Sequence, residues 1–524
     1  MKKTLLSIAT LFMFVLFAQT VSAQRYFDEI FTSTTFTGPV VYGQNYGVLT
    51  GVPALQPLVM DVYQPQGDTA QLRPLVIYLH TGSFLPLLIN GTATGDRHDS
   101  ATVEMCKQFA RRGYVSASMD YRLGWNPVGA TQDIRTGTLL MAVYRSIQDA
   151  KTCVRYFKMD AKVQGNTFKI DTNRIMLVGQ GSGGYVTLAY ATLDKTAEIQ
   201  LLKFIAAETD LTYGFVAGQP YVNQALWGGF DGLGGLAGFN QDNWPQYGND
   251  VNMVVNMGGA IGDSSWLEDG DMPIVCFHVT NDPFAPYGNG NVIVPTTGQF
   301  VVYVSGSREV VRLSNQFGNN DVFNIPYNDP YTTRANQVNE GFEGLFPFIL
   351  PDPSIVIPGD PFHGQAGPWE WWDSVALQTV APAYGVPAAN VAVIYQNAFL
   401  TNPDGSKAKG LAYIDSIQGY LAPRVVQSMQ LPGFISSVQT PDIFASDVKM
   451  FPNPAVTSFT LRLEDPKQKI KYVQLFDMTG RLVSEIKGIS TTEVNVSREG
   501  LSNGLYLVKI GLDKKEIQGK LLFE

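Results

Sequence analysis

The fold predicted for this chain is decided by the stretch Ile175-Met176-Leu177-Val178-Gly179-Gln180-Gly181-Ser182-Gly183-Gly184-Tyr185-Val186. The four apolar residues at its start are typical of a buried strand, and the apolar run after the glycines is typical of a helix. The glycines between them predict a sharp turn, because glycine accepts backbone conformations that side chains disfavour. The stretch therefore predicts a strand, a tight turn and a helix.

The same alternation continues on both sides of this stretch. Further strands are expected at residues 114–119, 252–256 and 273–278, and a continuous apolar run occurs at residues 74–79. Runs of this kind are typical of strands that are buried on both faces. Helices are expected at about 101–112, 138–158 and 408–427. Strands that alternate with helices predict an α/β fold with a doubly wound, mostly parallel sheet.

Composition and the N-terminus set the class of protein. The 524 residues are enough for two or three domains, and 45% hydrophobic against 16% charged residues supports a large core. The net charge of −9 argues against nucleic acid as a partner. Lys2-Lys3, an apolar run and then Val21-Ser22-Ala23 predict a cleaved secretory signal peptide over residues 1–23. No later segment is apolar enough for a transmembrane span.

The cysteines and the polar loops give no sign of a metal site. Cys106, Cys153 and Cys276 have neither disulfide nor zinc spacing, and each falls on a predicted helix or strand, so buried, inert thiols are expected. The Asp-, Asn- and Gly-containing loops at 316–330 and 402–406 lack the ligand spacing of a calcium-binding loop. No metal and no cofactor is therefore expected.

Two interruptions and a change of pattern divide the chain. Aromatic and glycine-rich residues at about 194–250 predict a lid insertion over the carboxyl edge of the sheet, and a second, irregular insertion is expected at about 290–355. The first domain is expected to span 24–435, followed by a linker at 436–447. Short alternating strands in 448–524 predict a small β-sandwich.

Several short motifs occur in a fixed order along the first domain. They are Asp61-Val62-Tyr63-Gln64-Pro65, His80-Thr81-Gly82, Asp120-Tyr121-Arg122-Leu123, the strand–turn–helix stretch, His278-Val279-Thr280-Asn281-Asp282 and His363-Gly364. In this order, residues 55–430 resemble the α/β-hydrolase superfamily, in particular its carboxylesterase and lipase-like branches. The resemblance implies an α/β-hydrolase fold and a serine hydrolase of esters, whose nucleophile elbow is the glycine-rich turn.

The C-terminal domain carries a second set of motifs. They are Phe451-Pro452-Asn453-Pro454-Ala455, Leu475-Phe476-Asp477-Met478-Thr479-Gly480-Arg481, Gly504-Leu505-Tyr506 and Gly519-Lys520-Leu521. This domain resembles the C-terminal sorting domain of type IX secretion substrates. The resemblance implies the type IX machinery as a partner, export through the periplasm and the outer membrane, and a secreted or cell-surface location. The alternative is a carbohydrate-binding or Ig-like module, but the Pro-Asn-Pro opening and the terminal position favour sorting.

The hydrolase resemblance implies a Ser–Asp–His mechanism. Asp282 follows a predicted strand, where the family places its acid, and His363 is the only one of the four histidines after it, so His363 is the predicted base. Ser182 is the candidate nucleophile. The nearby run Trp369-Glu370-Trp371-Trp372 is expected either to line a substrate groove or to pack against the last helices.

Backbone amides of Gly82, Ser83 and Gly183 are the predicted oxyanion hole, since His80-Thr81-Gly82-Ser83 resembles the His-Gly-Gly-Gly motif of lipases. Thr81 stands where the family has a glycine. A β-branched residue does not easily take positive φ, so this substitution predicts a changed loop geometry.

The elbow departs from the family at its central position. Aligned on its glycines, the turn has Gly181 where the family has serine, and Ser182 would serve only if the turn slipped by one residue and put Gln180 at a position that demands a small residue. Val279 also replaces a usual glycine. Two hypotheses stay open: an unusual secreted esterase acting on a small-molecule, lipid or polymer ester, and a catalytically inactive binding protein that has lost its nucleophile. Under the second, Gly181→Ser is expected to raise esterase activity.

Overall fold

The computed structural model describes residues 24–294, 297–352, 364–433, 448–477, 481–512 and 516–524. The predicted signal peptide and the predicted linker at 436–447 lie outside the described residues. The chain divides into two compact units, Met1–Phe434 and Ile435–Glu524.

A large mixed sheet forms the centre of the first unit. Its strands, in spatial order, are β1 (Thr34–Gly47), β2 (Ala54–Pro65), β4 (Val115–Met119), β3 (Arg73–Leu79), β5 (Ile170–Gln180), β6 (Met253–Met257), β8 (Ile274–Val279) and β11 (Leu345–Phe348). β2 runs antiparallel to both of its neighbours, and every other neighbouring pair is parallel. The predicted doubly wound, mostly parallel sheet is confirmed.

Helices cover both faces of this sheet. The described helices of this unit are α1 (Ser100–Arg111), α2 (Gln132–Val163), α3 (Ser182–Thr192), α4 (Gln224–Trp227), α5 (Ser307–Gln316), α6 (Pro330–Asn336), α7 (Ser374–Val380), α8 (Ala388–Thr401) and α9 (Lys407–Ser428). Alternate side chains of β3 point to opposite faces, as a strand requires. Leu75 and Ile77 belong to the core that includes α2 and α3, whereas Val76 and Tyr78 belong to the core that includes α1 and α9.

The segment at 290–355 is more regular than the sequence analysis expects. β9 (Asn289–Ile293) and β10 (Phe300–Gly306) form a small sheet with β7 (Ala260–Ile261), and β11 pairs with β8 at the edge of the large sheet. The expectation of an irregular insertion is therefore wrong over these residues. β11 has only four residues and contains Pro347, so neither its length nor its pattern identifies it, although an edge strand tolerates proline.

The segment at 194–250 lies along α2 and β1. The Tyr144 hydroxyl on α2 donates to the Gly228 carbonyl oxygen at 2.8 Å, and Arg155 Nε donates to the Asn243 carbonyl oxygen at 2.9 Å. Asn45 on β1 donates to Asn240 at 2.8 Å. The segment therefore covers the outer side of α2, in place of the lid expected over the carboxyl edge.

The second unit is an antiparallel β-sandwich, as predicted. One sheet has the order β12 (Val448–Phe451), β13 (Ser458–Leu463) and β16 (Glu493–Ser497), and the other has the order β15 (Leu482–Thr491), β14 (Ile470–Phe476), β17 (Gly504–Gly511) and β18 (Glu516–Phe523). Alternating apolar side chains of both sheets, among them Phe459, Leu461 and Val508, form one core between them.

The three cysteines are free and buried. Cys106 lies on α1, Cys153 on α2 and Cys276 on β8. Burial raises the pKa of the Cys276 thiol to about 12, which keeps it protonated at physiological pH. Within the described ranges, no helix combines the length and the apolar composition of a membrane span, and no group of three or more His, Cys, Asp or Glu side chains is arranged to hold a metal ion.

Candidate active site

The turn between β5 and α3 has the backbone of a strained elbow. β5 ends at Gln180, Gly181 has φ +51° and ψ −115°, and α3 begins at Ser182. Glycine adopts positive φ readily, whereas residues with a Cβ rarely do. The structure therefore places Gly181 at the tip of the turn and Ser182 at the first position of the helix.

Two glycines hold the strand and the helix close together. A Cβ built on Gly179 would lie 2.0 Å from the Gly183 carbonyl oxygen, and one built on Gly183 would lie 2.2 Å from the Leu79 carbonyl oxygen. These distances leave no space for a side chain in a close-packed interior. Close backbone approach thus explains the glycine spacing that aligned the turn.

Ser182 is part of a buried hydrogen-bond chain. Its residue is 6% exposed, and its Oγ lies 2.9 Å from the Tyr121 hydroxyl oxygen, which itself donates to the His80 carbonyl oxygen at 2.7 Å. Because the phenol has one proton and His80 takes it, Ser182 donates its own proton to Tyr121. Burial raises the pKa of Tyr121, so this phenol is neutral and is not a base for Ser182 at physiological pH.

Thr81 fills the space in which a side chain at position 181 would lie. A Cβ built on Gly181 would be 2.1 Å from Thr81 Oγ1 and 3.0 Å from Thr81 Cβ. The loop after β3 that carries Thr81, which we call the oxyanion loop, does not strain the backbone of Thr81 itself. Positive φ is found instead at Gly82 (122°), Ser83 (55°) and Phe84 (54°). The threonine therefore alters the site by its side chain, and the loop places the unusual backbone conformation on the residues that follow it.

The backbone amides predicted to form the oxyanion hole differ in whether their N–H groups already donate a hydrogen bond within the protein. Gly183 N–H donates to the His80 carbonyl oxygen at 3.1 Å and is therefore already bonded. Within the part of the chain that the structure describes, the N–H groups of Gly82, Ser83 and Ser182 donate to no protein acceptor. Free amides at the first turn of a helix favour a negatively charged or carbonyl oxygen. Ser182 N–H was not predicted as a donor, although it follows the tip residue as the family pattern requires.

Asp282 lies three residues after the end of β8, in a loop that folds back on the Asp282 side chain. One carboxylate oxygen accepts from the Phe284 N–H at 2.8 Å and from the Ala285 N–H at 3.1 Å. The other lies 3.7 Å from His278 Nε2. Burial raises the pKa of Asp282 to about 7, although the two amide bonds act against this rise. The acid is thus held by backbone amides and is close to its protonation point at neutral pH.

His278 serves the structure of this loop. It is fully buried, Nε2 donates to the Ala285 carbonyl oxygen at 3.1 Å, and Nδ1 accepts from the Ser307 hydroxyl at 2.6 Å. Burial lowers the pKa of His278 to about 4, so the ring is neutral at physiological pH. Both ring nitrogens are used within the protein.

The predicted base, His363, lies outside the described residues. The residue that follows it in the chain, Gly364, packs tightly against the loop after β8 that carries Asp282, which we call the acid loop. A Cβ on Gly364 would lie 1.7 Å from the Asn281 carbonyl oxygen. The chain therefore returns to the neighbourhood of Asp282 directly after position 363.

Glu370 is a site residue that the sequence analysis did not single out. Its carboxylate accepts from the Gln180 amide, whose own oxygen accepts from the Tyr78 hydroxyl at 2.8 Å. Although Glu370 as a residue is only half-buried, its carboxyl group is enclosed. This burial raises the pKa of Glu370 to about 8, and the charge of Asp282 adds to the rise. The sequence held no signal for this pair, because its members lie 190 residues apart.

Two parts of the chain match family models. Residues 60–211 match the family described as BD-FAE, and residues 449–524 match the secretion system C-terminal sorting domain. A comparison with curated proteins found no match.

Among solved structures, the chain is similar to an esterase from the Planctomycetes species Thermogutta terrifontis. The propionate-bound form is 14% identical over 70% of this chain and 96% of that chain, with a TM-score of 0.33. The butyrate-bound form is 13% identical over 60% and 82%, with a TM-score of 0.32. A truncated carbohydrate esterase from gut microbiota is 16% identical over 55% and 85%, with a TM-score of 0.30. At these TM-scores the likenesses carry no argument about ligand or reaction.

The C-terminal match has a consequence for location. A type IX sorting domain indicates export to the cell surface or beyond. The order of the large sheet, the match within it and the match at the C-terminus lead to one conclusion: this chain joins a domain of α/β-hydrolase fold, whose residues 60–211 match the BD-FAE family, to a type IX secretion sorting domain.

Proposed function

We propose that the α/β-hydrolase domain is an exported binding module that does not cleave esters through a serine nucleophile. One observation carries this proposal: Gly181 stands at the tip of the elbow, and Thr81 fills the space beside it. Ser182 supports it as well, because its hydroxyl is directed to Tyr121 inside the protein. A serine nucleophile needs a base within hydrogen-bond reach, and the neutral phenol of Tyr121 is not such a base.

The ligand we propose is an ester or the corresponding carboxylic acid of a small molecule, lipid or polymer. The unpaired amides of Gly82, Ser83 and Ser182 support this class, since they match a carbonyl or carboxylate oxygen. Asp282 and Glu370 add two carboxyl groups that take up protons near neutral pH. Binding of an acidic ligand would therefore be stronger at lower pH, where the repulsion between carboxylates is reduced.

Ester hydrolysis by Ser182, Asp282 and His363 is the second candidate. The acid loop favours it, because Asp282 follows β8 and Gly364 packs against the neighbouring Asn281. In this case Ser182 would have to leave Tyr121 and change its side-chain direction.

For export we propose a finer path. Residues 1–23 act as a cleaved signal peptide, the chain crosses the periplasm and the outer membrane, and residues 448–524 engage the type IX machinery. The match over residues 449–524 supports the last step.

The decisive experiment treats the full-length mature chain with a fluorophosphonate probe and with short-chain nitrophenyl esters, beside a known serine esterase as a positive control. We expect no covalent label and no ester turnover above the protein-free rate. A label on Ser182, found by peptide mass spectrometry and lost together with ester turnover in Ser182→Ala, would establish the esterase hypothesis instead.

A further inference from the structure

Thr81 and Gly181 face each other at the elbow, and the space between them holds one side chain. The three heavy atoms nearest to a Cβ built on Gly181 all belong to Thr81: Oγ1 at 2.1 Å, Cβ at 3.0 Å and Cα at 3.8 Å. Real Cβ atoms do not approach other atoms to within 3.0 Å. The obstruction at position 181 is therefore due to the side chain of this one residue.

The segment that carries Thr81 is held on both sides and does not move away easily. The carbonyl oxygen of His80 accepts from Gly183 N–H at 3.1 Å and from the Tyr121 hydroxyl at 2.7 Å. On the other side, Gly82 packs so closely that a Cβ there would lie 2.6 Å from Gly95 Cα. Relief by a shift of the backbone would break these contacts, and rotation of Thr81 would relieve Oγ1 but leave Thr81 Cβ at 3.0 Å, a tight contact that requires a small shift.

We infer that Thr81 is the residue that sets the state of this site: its side chain takes the space of the missing nucleophile, so that side chains at positions 81 and 181 exclude each other. The inference rests on the proposed function, because it explains why a serine at position 181 alone would not restore an esterase. It revises the expectation that Gly181→Ser is sufficient.

The same geometry makes Thr81 a ligand-contacting residue. In the described part of the chain its hydroxyl has no hydrogen-bond partner, and the neighbouring Ser182 N–H is also unpaired. A ligand at the tip therefore meets two hydrogen-bond donors in place of one nucleophile and one donor. Such donors fit an acyl oxygen and hold it without forming a covalent bond.

The first test is a double-mutant cycle on thermal stability in the mature full-length chain. Gly181→Ala is expected to lower Tm by at least about 2 °C, because overpacking a filled site is destabilising. Thr81→Gly in the same chain is expected to restore the part of that loss that is due to the overlap, whereas the strain of positive φ at position 181 remains. Gly67→Ala is the matched control: it also has positive φ (78°) but meets nothing within 4 Å, so Thr81→Gly is expected to leave its effect unchanged.

The second test is fluorophosphonate labelling of Gly181→Ser with and without Thr81→Gly. In this reaction the introduced hydroxyl oxygen forms a bond to phosphorus, the P–F bond breaks, and the hydroxyl proton and fluoride leave to solvent. We expect labelling at position 181 to be at least about tenfold faster in the double variant than in the single one. Gly181→Ser combined with Thr92→Gly is the control for a threonine elsewhere in the loop.

The outcomes separate this inference from the proposed function. If the effects of Gly181→Ala and Thr81→Gly on Tm are additive, and the two serine variants label equally, the inference is overturned and the binding function stands. A wild-type chain that is labelled at Thr81 itself overturns the binding function, because the threonine would then be a nucleophile. The stability cycle tests the steric exclusion in either case.

Discussion

The elbow and the acid loop are the two halves of the candidate site, and they differ in what each contributes to it. The elbow keeps its strained backbone, with φ +51° at Gly181, but has no side chain at the tip. The acid loop carries a buried carboxyl side chain, Asp282, held by two backbone amides. The elbow backbone depends on the close packing of Gly179 against Gly183, which does not need a nucleophile. The comparison teaches that the backbone shape of this elbow is set by its glycine packing and does not require a side chain at the tip.

The largest expected effect tests whether the acid loop is still competent. In a chain carrying Thr81→Gly and Gly181→Ser, Asp282→Asn is expected to lower ester turnover by about 10²–10⁴-fold, because an amide does not orient and stabilise a cationic base. Short-chain ester hydrolysis measures this. Asp352→Asn is the matched control, because the Asp352 carboxylate accepts a hydrogen bond from Asn281, the residue before Asp282. This substitution is expected to have little effect. Equal activity in both variants would mean that the acid loop has lost its role too.

The next effect concerns the buried ion pair of Arg122 and Asp149, because Arg122 follows Tyr121, which contacts Ser182 at the elbow. Asp149 accepts from Arg122 N–H at 2.8 Å and from Arg122 Nε at 2.8 Å, and both side chains are fully buried. Asp149→Asn leaves the guanidinium without its counter-charge and is expected to lower the free energy of unfolding by about 3–5 kcal/mol. Urea unfolding measures this. Asp250→Asn, whose carboxylate is 94% exposed beside Lys158, is the control, with an expected change within about 0.5 kcal/mol.

A smaller effect concerns Glu370, which connects the two halves through Gln180 and through the field at Asp282. Burial raises the pKa of Glu370 to about 8, above its value in the unfolded chain, so the folded state binds this proton more tightly. The corresponding stability is complete at pH 4 and is lost as pH rises to 8. Glu370→Gln is expected to flatten the fall in Tm between pH 5 and pH 8. An unchanged Tm profile would show that the carboxyl group is already solvated.

The smallest effect concerns Ser182. Ser182→Ala removes one neutral hydrogen bond to Tyr121 and is expected to lower the free energy of unfolding by about 0.5–1.5 kcal/mol, with no change in ester turnover or in probe labelling. Chemical denaturation and the ester assay measure both quantities. Loss of an existing activity in this variant would reverse the comparison, because the elbow would then hold the nucleophile.

The strands and helices of the sheet were predictable because their signals are local. The apolar run of β3 and the glycine-rich turn before α3 are read from adjacent residues, and the structure has a strand and a sharp turn at these places. The short edge strand β11 and the path of residues 194–250 were not predictable, since they depend on which surface is left uncovered.

The candidate site was predictable only in part, for a similar reason. Counting glycines placed Gly181 at the serine position, but the overlap with Thr81 and the pairing of Gln180 with Glu370 are contacts between distant segments. No periodicity or motif encodes such contacts. The role of His363 stays a prediction.

The three buried cysteines are built-in probes of local unfolding in different parts of this chain. Cys106 belongs to the core on one face of the sheet, whereas Cys153 and Cys276 belong to the core on the other, where Cys276 lies on β8 beside the edge strand β11. A thiol reagent reaches each of them only when its own region opens. Their three rates of modification, read by mass spectrometry, would therefore report separately on the two faces and on the strand that leads to the acid loop. Each thiol is thus protected only after its own region of the core has closed.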